Sequence, residues 1–168
     1  MTGPYRIVRL EKSHDRRFFD CGVEALNRYF HQHISQDMRR RIANGFVALD
    51  PQDRIAGFYT LSATGLLLNE LGEDWRRKLP RYPMVPAGLI GRLAVDHSCK
   101  GVGLGSVLIV DAIRRLSHAD PAVHVLVVDA KDQEAVAFYR HFGFMRLDSR
   151  PLSLFLPLSE ALKKSITG

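Results

Sequence analysis

Leu89-Ile90-Gly91-Arg92-Leu93-Ala94-Val95-Asp96, followed after three intervening residues by Lys100-Gly101-Val102-Gly103-Leu104-Gly105-Ser106, joins an apolar run to an amphipathic one. Residues 89–95 read as a strand. From Gly103 to about His118 the spacing is helical, with Leu104, Leu108, Ala112 and Leu116 on one side and Val107, Ile109 and Ile113 beside them. Glycines alternate through the turn between the two, so backbone N–H groups can converge there without Cβ obstruction. A helix starting at its end adds unpaired N–H groups and a dipole, which makes phosphate the natural ligand. The turn is not the dinucleotide fingerprint, because its third glycine falls one residue early, and no Gly-Lys-Ser/Thr closes it as a P-loop would.

Working outward, residues 5–10 alternate as a half-buried strand. Val23, Leu26, Tyr29, Phe30 and Ile34 have helical spacing, and residues 35–42 carry a second, basic helical run that meets the first near His33 to Ser35. Phe46-Val47-Ala48-Leu49 and residues 55–61 flank Asp50-Pro51-Gln52-Asp53, an antiparallel hairpin. Residues 65–86 hold the only tryptophan, Trp75, and read as a long, less regular excursion with one or two helical turns. After the glycine turn and its helix come a continuous apolar strand over 123–128, a helix over 131–140, strands at 142–145 and 152–156, and a polar tail over 159–165. The expected fold is α/β, a mixed central sheet flanked by helices, with residues 1–168 as one domain. Ligands of such sheets bind beyond the strand C-termini, which puts the glycine turn next to the helix bearing Tyr139.

The 168 residues suffice to bury about 70% of the unfolded surface without disulfide or metal staples. The two cysteines, Cys21 and Cys99, have no Cys-x-x-Cys spacing and follow no signal peptide, which points to a reduced, cytoplasmic setting. No apolar run approaches the ~18 residues of a membrane span. His31 and His33 are wrongly spaced for one helix face, and no Cys or carboxylate pattern completes a metal site. Asp96-His97-Ser98-Cys99 contains triad residue types, but a triad converges from separate elements and sequence neighbours diverge. The net charge of +6 gathers in clusters around Arg39-Arg40-Arg41 and Arg76-Arg77-Lys78 and between Arg146 and Arg150, either solvated faces or a surface for a polyanion such as RNA.

Arg92-Leu93-Ala94-Val95-Asp96, Lys100-x-x-Gly103-x-Gly105 and Phe138-Tyr139-x-x-x-Gly143-Phe144, in that order and spacing, resemble the signature of the GNAT acetyltransferase superfamily. The match spans about residues 88–147, with Lys100 where the family has Gln or Arg. The resemblance implies a GNAT fold, with residues 100–106 (Lys100, Gly101, Val102, Gly103, Leu104, Gly105, Ser106) holding the acetyl-CoA pyrophosphate. It further implies that the backbone of Leu93, Ala94 and Val95 holds the thioester arm, with Phe138 packing beside the site, and that Tyr139 protonates the departing coenzyme A sulfur. His14-Asp15-Arg16, Phe19-Asp20-Cys21-Gly22, Ala25-Leu26-Asn27-x-Tyr29, Gly57-Phe58-Tyr59-Thr60-Leu61-Ser62 and Leu79-Pro80-x-Tyr82-Pro83 extend the likeness over nearly the full chain. They resemble the TacT-like branch, toxins of toxin–antitoxin pairs that acetylate the amino acid on charged tRNA. This implies a homodimer neutralised by a small DNA-binding antitoxin of ribbon-helix-helix type.

The chemistry is consistent with that acceptor. A phenol near pKa 10 stays protonated at neutral pH and can donate to a thiolate whose parent thiol lies near 8.5, about 1.5 units uphill. An oxyanion contact from a strand N–H would contribute roughly 3 to 4 kcal/mol. An α-amine near pKa 8 is about a tenth neutral at pH 7, whereas a lysine amine costs about 3 kcal/mol more to activate and calls for a general base. No convincing base stands near the motif: Asp96, Asp129, Asp132 and Glu134 read as strand-end, cap or surface residues. For RNA, Arg39, Arg40, Arg76, Arg77 and Arg92 are the candidates, from the helical N-terminal arm, the excursion and the strand approaching the donor site. Two alternatives stay open: acetylation of a small-molecule or protein amine, and a non-catalytic acetyl-CoA- or RNA-binding module.

Overall fold

The computed structural model describes residues 4–79 and 81–167, with side chains to residue 162 except that of Pro80. Pro80, quoted above in the Leu79-Pro80-x-Tyr82-Pro83 match, lies outside the described residues. Seven strands form one mixed sheet in the order β1-β2-β3-β4-β5-β7-β6. By internal contact the chain separates into two compact units, one built from the chain up to Ser62 with Gly91–Ala112, the other from Ala63–Ile90 with the chain from Ile113 on.

In the first unit, β1 (Arg6–Arg9) pairs antiparallel with β2 (Asn44–Leu49), from Arg6↔Leu49 to Arg9↔Phe46. The hairpin to β3 (Ile55–Leu67) is closed by Asp50, whose carboxylate accepts from the Gln52 and Arg54 amides. The two expected N-terminal helices, α1 (Glu24–Arg28) and α2 (Ile34–Arg39), are present and joined by a π-helical turn over Tyr29–His33. Such wide turns recur at functional sites because they displace side chains from the α-helical register. The core is aromatic: Phe30 stacks on Phe58 at 4.3 Å, and Phe19 meets them edge-on at 4.9 and 5.5 Å. Ile34, Val47, Leu49 and Ala94 complete it. The end of β4 (Met84–Val95) and the first part of α4 (Leu104–Ser117) belong here, and Leu104, Leu108, Ile109 and Ala112 are buried as their spacing predicts.

In the second unit, β4 runs parallel to β5 (Val125–Asp129) from Ala87↔Val125 to Ile90↔Val128. β5 pairs antiparallel with β7 (Arg150–Pro157), and β7 with β6 (Met145–Leu147). α5 (Gln133–Phe142) starts at an Asp132 cap that accepts the Ala135 amide and ends at Gly143, left-handed at φ 119°. Phe142 and Gly143, read above as the start of a strand, therefore close a helix, and the strand begins at Met145.

Two further expectations are corrected. The excursion over 65–86 is shorter than read, since β3 continues to Leu67 and β4 begins at Met84; between them the expected helical turns are present, over Leu68–Glu70 and Glu73–Arg76, and Leu71, Trp75 and Leu79 pack with Leu66, Val85, Val125 and Phe155. Residues 159–165 are not a tail but most of α6 (Leu158–Thr167), anchored by buried Leu158 and Ala161.

Candidate active site

The glycine turn has the conformation that a phosphate cradle requires. Gly101 and Gly103 both lie at φ +82°, the left-handed region that favours glycine, and the intervening Val102 turns its side chain outward with 65% exposure. A Cβ built on either glycine would meet nothing within 4 Å, so space remains open over the backbone. Leu104 is buried and fixes the start of α4. The first intrahelical bond shown runs from the Val107 amide to the Gly103 carbonyl at 3.2 Å, which leaves the N–H groups of the first turn, through Gly105 and Ser106, outside the helical ladder. This open backbone with a helix start fits a pyrophosphate.

Lys100 is engaged elsewhere. Its ammonium donates to the Cys21 carbonyl at 2.8 Å, which ties the Asp20-Cys21-Gly22 stretch to the loop. An ammonium carries three donors, so this bond does not exhaust its capacity toward an anion. Asp96 completes the strap. It is buried, and its carboxylate accepts from the Asp20 amide at 3.0 Å and from the Ser98 amide and hydroxyl at 3.0 and 2.7 Å. Burial is the largest single influence and pushes its carboxyl up, but the Asp20 and Ser98 bonds together outweigh it and hold the carboxyl below the usual carboxylate range. The residue read above as one of a set of triad types is thus the bracket joining the N-terminal stretch to the turn. Neither the strap nor its partners could be found from spacing, since Lys100 and Cys21 are 79 residues apart.

Residues 93–95 form the last part of β4, beyond its final register pair with β5 at Ile90↔Val128, and Ala94 is buried in the first unit's core. In the second unit, Tyr139 is 5% exposed on α5, edge-on to Phe138 at 5.3 Å and to Phe144 at 5.4 Å. Burial, reinforced by the Asp129 carboxylate, pushes its phenol well above the usual value of about 10. Its proton is therefore harder to give up fully than the sequence suggests, and the hydroxyl is suited to donating a hydrogen bond. Phe138 is exposed on the same helix.

The arginine candidates divide between the units. Arg39 and Arg40 are exposed at the end of α2. Arg92 lies with its guanidinium carbon 3.6 Å from the centroid of the Tyr29 ring, a cation–π contact. In the second unit Arg76 ends α3 (Glu73–Arg76), and Arg77 pairs with Glu73 at 2.9 Å. A separate cavity of about 920 Å³ in the first unit is lined by Phe18, Asp50, Arg54, His97 and Cys99 among others, and includes none of the predicted site residues. Among the described residues no group of three or more His, Cys, Asp or Glu could hold a metal ion. Among them, too, no helix is long and apolar enough to cross a membrane.

Fold and turn together define an acetyltransferase. Residues 83–153 match the family model described as the acetyltransferase (GNAT) domain. The tRNA-acetylating toxin of Mycobacterium tuberculosis is 32% identical over 163 residues, covering 96% of this chain and 96% of that protein. The chain belongs to the GNAT acetyltransferase family, in the branch that holds the TacT-like toxins. Among solved structures, AtaT complexed with acetyl-methionyl-tRNAfMet superposes with a TM-score of 0.86 at 27% identity, covering 96% of this chain and 99% of that one. A mutant AtaT bound to the C-terminus of the antitoxin AtaR and acetyl-CoA superposes with a TM-score of 0.78 at 25% identity, covering 98% and 99%.

Proposed function

We propose that this chain is a toxin that transfers the acetyl group of acetyl-CoA to the α-amine of aminoacyl-tRNA and so blocks translation. The observation that carries the reading is one of extent. The likeness to a tRNA-acetylating toxin runs over 96% of both chains, and so takes in the N-terminal arginine arm as well as the donor cradle.

In this reading the backbone of 101–106 receives the pyrophosphate, with Lys100 adding charge, the backbone of Leu93, Ala94 and Val95 holds the thioester arm, and Phe138 also serves cofactor binding. The neutral α-amine attacks the thioester carbonyl, the N–C bond forms and the C–S bond breaks. The attacking nitrogen gives up one proton and the departing sulfur takes one up through its hydrogen bond with the Tyr139 hydroxyl, so the products are the N-acetylated aminoacyl-tRNA and coenzyme A as its thiol. Arg39, Arg40, Arg76, Arg77 and Arg92 contact the RNA. No carboxylate is assigned as base, which an α-amine does not demand. Residues 1–168 act as one acetyltransferase domain, supported by the single sheet order through all seven strands. The protein works in the cytoplasm as a homodimer and is silenced by a small DNA-binding antitoxin of ribbon-helix-helix type. The AtaT–AtaR complex supports an antitoxin partner.

The test is incubation with labelled acetyl-CoA and total tRNA, charged or deacylated. Label on the charged pool alone is the expected result. Equal labelling of both pools, or none, removes the reading, and labelling of a small amine or protein instead would favour a different acceptor.

A further inference from the structure

Arg92 immediately precedes the segment proposed to hold the thioester, and it is held unusually firmly for an exposed arginine. Its backbone amide donates to Thr60 Oγ1 at 3.1 Å, and its guanidinium lies over the Tyr29 ring at 3.6 Å. The ring in turn is fixed. Tyr29 is buried at the start of the π-helical turn, and its hydroxyl donates to Asp37 Oδ2 on α2 at 2.7 Å. Burial first, and then the Asp37 carboxylate, push the Tyr29 phenol well above its usual range, with Arg92 pulling the other way, so the hydroxyl stays a donor. The turn's backbone is tied as well, with Arg16 Nη1 donating to the Phe30 carbonyl at 2.8 Å. Side chains two apart share one face of a strand, so Arg92 projects from β4 on the same side as Ala94, which packs in the core cluster that includes Tyr29.

A simple phosphate contact needs only a flexible cation. Here a buried tyrosine, an aspartate and a widened helical turn hold one guanidinium over an aromatic ring, with Arg92 itself exposed. Guanidinium planes and aromatic rings are the surfaces on which unpaired RNA bases stack. The acceptor amine of an aminoacyl-tRNA is carried on the terminal ribose, so the base of that nucleotide must lie within one nucleotide's reach of the thioester. Arg92 is adjacent in chain to the segment proposed to hold it.

From this we infer that the Tyr29–Arg92 stack is a platform for the base of the RNA's 3′-terminal nucleotide, with Asp37 a positioning residue acting through Tyr29. The inference rests on the tRNA reading above and specifies which nucleotide the Arg92 side chain serves.

The test compares binding of an uncharged tRNA with that of the same tRNA whose terminal nucleotide is abasic, at one fixed salt concentration. The wild-type protein should lose about tenfold in affinity with the abasic RNA, the scale of one stacked base. Arg92→Lys keeps the charge and loses the plane. It should bind both RNAs alike, near the wild-type abasic value, with an unchanged salt slope. Tyr29→Phe keeps the ring but loses its bond to Asp37, so Tyr29→Phe and Asp37→Asn should each lose part of the base effect, and to a similar extent. Thermal melting of each variant reports folding separately. Equal wild-type affinity for the two RNAs, or a tenfold effect that survives in Arg92→Lys, overturns the platform while leaving the tRNA reading intact. Failure of both RNAs to bind at low salt overturns both.

Discussion

Two arginine clusters that look alike in the sequence, Arg39-Arg40-Arg41 and Arg76-Arg77-Lys78, have different surroundings. In the second, Arg77 pairs with Glu73 at 2.9 Å, and the Lys78 ammonium lies over the Trp75 ring at 5.0 Å. Trp75 itself packs against the second unit's core, so this cluster serves in part to hold a short helix to its own unit. In the first, Arg39, Arg40 and Arg41 are exposed and form no ion pair among the described residues. They follow closely on Asp37, which anchors the Tyr29 ring beneath Arg92. Charge count alone cannot separate a solvated helix from a phosphate surface, whereas the presence of local carboxylate and aromatic partners can. The first cluster should therefore carry most of the RNA affinity.

The reference for that comparison is the chemistry, which should be indifferent to either cluster. Tyr139→Phe is expected to lower kcat by about 100-fold, the lower end for a positioned proton donor, with acetyl-CoA and tRNA affinities unchanged. Unchanged turnover would remove Tyr139 from the mechanism. The comparison itself is tested next by paired charge reversals measured by tRNA binding. Arg39→Glu with Arg40→Glu should weaken binding by about 30-fold or more and flatten its salt dependence. Arg76→Glu with Arg77→Glu should cost only about threefold, because one of the two charges is already neutralised by Glu73. The reverse ranking breaks the account of which surface the RNA uses.

Between these in size falls the cradle. Gly103→Ala places a Cβ where nothing crowds it but where φ is +82°, so the cost is backbone strain alone. Acetyl-CoA affinity should fall about tenfold with tRNA affinity unmoved. The smallest effect concerns pH. Because burial raises the Tyr139 phenol above its usual value, its protonated, donating form persists throughout the neutral and mildly alkaline range. kcat/KM should therefore rise with pH as the acceptor α-amine deprotonates near about pH 8 and then level off, with no alkaline decline below about pH 10. A falling limb in that range that disappears in Tyr139→Phe would contradict the assignment.

The parts of the fold legible in the sequence are those with strong local periodicity. The strand ending at Val95, the left-handed glycines and the buried Leu104, Leu108, Ala112 and Leu116 of α4 stand where spacing puts them. α6 reads as a polar tail although Leu158 and Ala161 have helical spacing, because polar residues dominate its composition. β3 reads as ending near Leu61 because Ser62, Ala63 and Gly65 carry little strand propensity, yet the strand continues to Leu67. The features that shape the candidate site are long-range: Lys100 on the Cys21 carbonyl, Asp96 under Asp20, and Arg92 on Tyr29. Spacing rules reach only a few residues along one element, so contacts of this separation have no local signature.

The claim on which everything else depends is the position of the transferred acetyl group. After reaction with labelled acetyl-CoA and charged tRNA, mild alkaline hydrolysis of the ester should release all the label as N-α-acetyl amino acid, identified by mass spectrometry. Label that stays with the polynucleotide, or that resides on a protein or small amine, would contradict α-amine acetylation of aminoacyl-tRNA.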